Sequence, residues 1–182
     1  MGKGRNIKFA KENGEPFFYG KIYETNENCF KIAADINQVD LLLQLAGNLN
    51  PPYFILYILT VSRLENELGR YQSTLFETKD QLSEFLLTFK EYFETDGRHH
   101  VWIGTIDDSG PLVYDQHNVI FAYGGSSGYL SVLKNNGFKE QAFLYPAPHV
   151  HNYHFENDKY EDQILNNYDW QMFPIQESDL YE

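Results

Sequence analysis

Cysteine is nearly missing from this chain of 182 residues, with Cys29 its only one. An internal disulfide and a cysteine-based zinc cluster both need more than one thiol, so both are excluded. In the apolar stretch CFKIAA, Cys29 reads as a small core residue. Basic residues are also scarce, 14 Lys and Arg against 26 Asp and Glu, for a formal net charge of −12. A free nucleic-acid binder needs a basic excess to replace phosphate counterions, so no nucleic-acid partner is expected. No run approaches the roughly 18 apolar residues of a membrane helix, so no membrane partner is expected either.

Familiar signatures are missing too. The opening stretch MGKGRNIKFAKENGEP is a basic arm over 1–15 without an apolar core, unlike a secretory signal. Asn6 stands where a myristoylation motif carries Ser or Thr. A cytoplasmic protein is the expectation. The glycine-rich YGGSSGY has neither the Walker lysine nor the dinucleotide spacing, and reads as a strand-to-helix connection. Ser126 and Ser127 lack the elbow of a serine hydrolase.

What is abundant is aromatic: 14 Tyr and 14 Phe, within a chain 42% apolar. That suits a sheet-containing globule of one domain, 1–182, and argues against disorder. PFFYGKIYE and CFKIAAD read as strands joined by a turn, NQVDLLLQLAGNL as a helix with Asn37 as its N-cap, and YFILYILTVS as a covered central strand. SRLENELGRYQS reads as a polar loop. Thr78 and Gln81 make a capping box for a helix carrying Leu82, Phe85, Leu86, Phe89 and Phe93, with Gly97 as its stop. HHVWIGTI and PLVYDQHNVIFAY, the latter reversing at Asp115 to Asn118, predict three antiparallel strands. A short helix through GYLSVLKNNGF and a strand through QAFLYP follow.

This order predicts an α+β fold with a largely antiparallel or mixed sheet of five to seven strands and two or three packing helices. The segment 149–182 has eight acidic residues against one lysine, yet contains Tyr153, Phe155, Tyr160, Tyr168, Trp170 and Phe173. It is too aromatic for a disordered tail and should dock on the domain. Asp158 and Glu161 offer a capping box for a helix over 159–167.

Two groups of residues can carry chemistry. The first is PHVHNYHFE, with His149, His151, His154 and Glu156. On an extended chain His149 and His151 share a face and can chelate one divalent metal, with His154 and Glu156 as further ligands or Glu156 as a base. His-x-His followed by four residues and Glu matches the core of the first cupin motif, but Phe143 stands where that motif has glycine, and no second motif follows. The alternative is a proline-led segment that packs Tyr153 and Phe155 while its histidines bond to backbone or water.

The second group is a polar cluster at strand ends, Arg63, Arg70, Arg98, His100, Asp115, His117 and Asn118, with His99 beside it. Asp115, His117 and Asn118 can form an acid–base group with an arginine holding an anion. The plainer reading is that Asp-Gln-His-Asn is simply a hairpin turn and that Arg63 and Arg70 pair with nearby acids.

GRYQS, DGRHHVW, LVYDQHNVIFAYGG with the following VLKNNGF, and PAPHVHNYH with the later DW together resemble a family of small stand-alone bacterial proteins without an assigned function. VYDQHNVIFAYG followed by a short helix and NGF is also similar to parts of bacterial toxin-immunity proteins. These resemblances imply a bacterial, cytoplasmic, single-domain protein and transfer no catalytic residue. Two functional expectations follow. One is an acidic protein-interaction module, immunity-like, meeting a basic protein partner and needing no cofactor. The other is a metal-dependent enzyme or metal-binding protein using His149, His151, His154 and Glu156, with His99, His100 or His117 as neighbours.

Overall fold

Alternating apolar residues in the stretch 53–59 place Tyr53, Ile55 and Tyr57 on one face, fully buried, and Phe54, Leu56 and Ile58 on the other, where only Ile58 is fully buried. That strand lies inside the sheet, third from one edge. The computed structural model describes residues 6–107, 109–124 and 127–180. Its elements run β1 (Phe9–Lys11), β2 (Ile22–Thr25), β3 (Cys29–Ala33), α1 (Gln38–Ala46), β4 (Tyr53–Leu59), β5 (Gly69–Ser73), α2 (Lys79–Thr88), α3 (Lys90–Thr95), β6 (His99–Thr105), β7 (Leu112–Tyr114), β8 (Val119–Tyr123), α4 (Ser127–Asn135), β9 (Lys139–Glu140), β10 (His149–His151), α5 (Asp158–Asn167) and β11 (Trp170–Phe173). Single 3-10 turns at Phe155–Asn157 and Glu177–Asp179 flank the last helix and strand.

The fold is α+β. Nine strands form one mixed sheet in the order β11-β5-β4-β6-β7-β8-β3-β2-β9, and β1 and β10 form a separate antiparallel pair. Every pairing in the large sheet is antiparallel except β2 with β9. The elements differ from expectation in three places. The stretch expected as a polar loop contains β5, which pairs with β4 on one side and β11 on the other. Its alternation is masked because only Tyr71 and the small Gly69 and Ser73 face inward. The helix expected to run from 79 to Gly97 breaks at Phe89 into α2 and α3, with Asp96 capping the second. The strand expected through QAFLYP does not form over 141–146; a two-residue strand, Lys139–Glu140, stands just before it.

Local chemistry explains where helices start. Thr78 and Gln81 make the reciprocal capping box, a cap worth about 1 kcal/mol. Asn37 caps differently from expectation: it takes the left-handed conformation at φ 59 and its side chain makes no cap bond. Instead Glu94 accepts the N–H of Val39 at 3.0 Å. The anticipated box at Asp158 and Glu161 is also absent, because both carboxylates are drawn to Arg98.

One face of the sheet carries the main core. Ile55, Tyr57, Val101, Ile103, Leu112, Tyr114 and Ile120 pack against Leu42 and Leu45 of α1, Phe85 of α2, Tyr92 and Phe93 of α3, Leu133 of α4 and Ile164 of α5. Removing one such aromatic, Phe85 for example, costs about 3–5 kcal/mol. The C-terminal segment docks on its own domain: Tyr160, Tyr168 and Trp170 pack on this core, and β11 completes the sheet edge. The opposite face is covered unevenly. Tyr19 and Phe143 pack there on Ile22, Ala33 and Val119, and β1 and β10 lie beside them.

Arg98 fastens the docked segment. Its guanidinium is fully buried and donates to Asp96 at 2.8 and 3.0 Å, to Asp158 at 2.9 Å, to Glu161 at 2.7 Å and to the carbonyl of His154 at 3.1 Å. No helix is long and apolar enough to cross a membrane among the described residues.

Candidate metal centre

The β7–β8 hairpin turns on Asp115 to Asn118. Asp115 Oδ1 accepts the backbone N–H of His117 at 2.8 Å and of Val119 at 2.9 Å. Asn118 takes φ 61, and its side-chain oxygen accepts the Tyr114 hydroxyl at 2.7 Å. This is the polar turn the sequence suggests. The same Asp115 also receives His117 Nδ1 on its other oxygen at 3.0 Å. Tyr145 lies flat on the imidazole at 4.2 Å between centroids, and the Tyr19 hydroxyl donates to the His117 carbonyl at 3.0 Å. The turn therefore builds a buried, oriented histidine.

β10 supplies two more. Antiparallel pairing with β1 keeps it extended, with Phe9 opposite His151 and Lys11 opposite His149, so the two imidazoles share a face. His149 Nδ1 meets the carbonyl of Pro146 at 2.9 Å. His149 Nε2 then lies 3.1 Å from His117 Nε2 and 3.2 Å from His151 Nε2, and all three nitrogens fall within 4.8 Å of one another. Metal–nitrogen bonds of about 2.0–2.1 Å at tetrahedral angles put neighbouring nitrogens about 3.3 Å apart. No fourth His, Cys, Asp or Glu joins the group among the described residues.

The proton positions follow from the partners. A carbonyl only accepts, so His149 Nδ1 carries a hydrogen. Burial works against ionising Asp115, but His117, the nearby His100 and the Val119 N–H together hold its carboxyl below the usual range. An ionised carboxylate also only accepts, so His117 likewise carries a hydrogen on Nδ1. Each of these two rings therefore turns its Nε2 toward the other, 3.1 Å away. Burial and its two histidine neighbours push His151 down to about 3, so it is neutral at pH 7.

Other anticipated residues lie elsewhere. His154 and Glu156 leave the cluster because the chain bends into the 3-10 turn at Phe155–Asn157. His154 Nε2 bonds the carbonyl of Ile7 at 3.1 Å, and Glu156 is exposed. Arg98 is the buried clamp on α5, and Arg63 pairs with Asp158 at 3.1 Å, so neither holds an anion at the histidines. Arg70 lies 3.6 Å from Asp179. His99 faces the helices, 4.3 Å from the Tyr92 ring, while its neighbour His100 points to the other face with Asp115 and His117. Lys8, which the sequence did not single out, is fully buried and donates to the Asp115 carbonyl at 2.8 Å.

The site gathers three imidazoles, with a carboxylate behind one of them and a carbonyl behind another. Such hydrogen bonds fix ring orientation and raise ligand basicity in metalloproteins. No family model, no curated protein and no solved structure matches this chain, so its function has to be read from this geometry.

Proposed function

We propose that the protein holds one divalent transition-metal ion on His117, His149 and His151 and uses it as a Lewis acid toward a small molecule. The single observation that carries this reading is the convergence of three imidazole nitrogens, with His149 Nε2 lying 3.1 Å from His117 Nε2 and 3.2 Å from His151 Nε2. One cation at their centre would take all three as ligands. Three protein ligands leave a position for water or substrate, the arrangement of catalytic rather than structural zinc sites. When bound, the ion would lower the pKa of its water toward 7 or polarise a carbonyl. Asp115 holds His117 in the ligating tautomer, and Tyr145 and Phe9 shield the imidazoles on two sides.

The test is metal content of tag-free protein by plasma mass spectrometry, with zinc and nickel titrated into wild type and a His149→Ala/His151→Ala variant. Near-stoichiometric metal that the variant loses supports the reading. No metal above background in either protein overturns it. The expectation of an acidic module for a basic partner keeps the net charge of −12, the lack of a specific catalytic motif and the immunity-like resemblance as support, but loses the aromatic tail, which packs on its own domain.

A further inference from the structure

A cavity of about 420 Å³ opens on the helix-free face of the sheet, next to the histidines. Asp115 and His117 belong both to its lining and to the centre described above. Most of its remaining wall is apolar or aromatic side chains that point outward from consecutive strands, Ile58 of β4, Trp102 of β6, Val113 of β7, and Phe121 and Tyr123 of β8, with His100, Ser178 and Asp179 as the other polar residues. This size and lining match the low end of small-molecule sites.

The charges that line it are already matched. Asp115 is held by His117 and two backbone N–H groups. Asp179 accepts the Gln176 N–H at 2.8 Å and faces Arg70 at 3.6 Å, whose guanidinium also lies 5.3 Å over the Trp102 ring. Burial keeps His100 neutral by lowering its pKa. A charged ligand would therefore enter without a free counterion. Among the buried polar atoms without a hydrogen-bond partner in the described residues, two belong to side chains that line the cavity, His100 Nε2 and Trp102 Nε1, and Nε of Arg70 lies beside them. The first two sit two apart on β6, on its outward face, and the indole nitrogen is a donor only. A buried donor without a partner is costly, so an acceptor brought against it gains a hydrogen bond.

We infer that this cavity takes a neutral, mainly apolar small molecule bearing one carbonyl-type hydrogen-bond acceptor, and that such molecules are the substrate class of the centre. The word substrate rests on the metal reading; binding to the cavity does not. A ketone, ester or amide of aromatic or branched aliphatic groups has the required chemistry.

The experiment is isothermal titration of metal-free and zinc-supplemented protein with 2-acetylnaphthalene, 2-ethylnaphthalene, 2-naphthoate and 2-naphthylmethylammonium. The expected result is binding of the acetyl compound to both forms. The ethyl compound, which lacks the acceptor, should bind roughly threefold to tenfold more weakly, the effect of one buried hydrogen bond. In the metal-free protein the two ions should bind at least tenfold more weakly. Val113→Trp, which fills the cavity from the middle strand, should abolish binding while zinc uptake stays unchanged. Preference of the metal-free protein for either ion, equal binding of the acetyl and ethyl compounds, or no binding at all overturns the inference, and the ligand series decides even if the tryptophan variant folds poorly. Binding of the acetyl compound by a protein that takes up no zinc would leave the cavity standing and remove the metal centre. Zinc uptake without acetyl binding would do the reverse.

Discussion

The ammonium of Lys8 donates to the backbone carbonyl of Asp115 at 2.8 Å, and the Lys8 carbonyl accepts the N–H of Asn152 at 2.9 Å. One residue thus joins the hairpin that carries His117 to the strand that carries His149 and His151. Lys8 is completely buried, 4.0 Å over the Tyr114 ring, and burial brings its pKa from 10.5 down to about 7 against the opposing pull of Asp115, Asp96 and Glu94.

A pH dependence follows. Between about pH 7 and 10.5 the unfolded chain keeps a proton on Lys8 that the folded chain has released. The unfolded state then binds more protons, so stability rises with pH across that window. Below pH 7 both states are protonated and the full cost of the buried charge is present. Urea unfolding of metal-free protein should show the wild type gaining up to a few kcal/mol on Lys8→Met between pH 7 and 9.5. A constant difference between the two proteins over this range would mean that the ammonium is not desolvated.

Asp115→Asn separates the turn from the centre. The amide oxygen can still accept from the N–H groups of His117 and Val119, so the hairpin should persist. The charge that holds His117 Nδ1 is lost, and outer-shell changes of this kind typically cost 10–100-fold in metal affinity. Competition with a chromogenic chelator should show that loss for zinc, with the metal-free melting temperature shifted only a few degrees. Unchanged affinity would detach Asp115 from the site.

Much of this arrangement is legible in the residues, and what is not has a definite cause. Strand alternation places His149 and His151 on one face, and the Asp-Gln-His-Asn run announces a turn, which is also what aims His117; the arginine expected beside it to hold an anion goes elsewhere. What no local pattern reveals is that β10 pairs with β1, since a three-residue strand carries almost no periodicity and its partner lies some 140 residues away. Without that pairing, nothing brings His117 to His149. Proximity in sequence instead suggested His154 and Glu156, which a single 3-10 turn carries away. Arg98 and His100 lie two apart beside one strand, yet the guanidinium goes to α5 and the imidazole to the cavity. β5 was hidden by its small inward residues, whereas the long apolar β4 and the capped α2 were plain.

Gly97 tests the centre from outside it. A Cβ there would stand 2.8 Å from the Lys8 carbonyl and 3.1 Å from the Cβ of His151. Gly97→Ala must therefore displace either backbone or ligand. We expect a destabilisation of about 1–3 kcal/mol by urea unfolding, as for other overpacked interiors, together with weaker zinc binding. A variant as stable as wild type with normal zinc affinity would show that β10 has room to move.

Arg98→Met should be among the most damaging single changes. It leaves Asp96 and Glu161 buried without their shared cation, and breaking buried pairs in this way costs about 3–5 kcal/mol. Protection of α5 amides against hydrogen exchange should collapse before that of β4 and β6. Uniform loss across the molecule would mean that the C-terminal segment and the sheet unfold as one.

The separation of β1 and β10 from the nine-stranded sheet has a consequence for breathing motions. Two of the three histidines ride on this small ribbon and the third on the large sheet. An ion held by all three would act as a rivet between bodies that share no ladder of backbone hydrogen bonds among the described residues. With the rivet in place, the ribbon opens only when the whole protein does; without it, the bonds of Lys8 and Asn152 and side-chain packing hold it down by themselves.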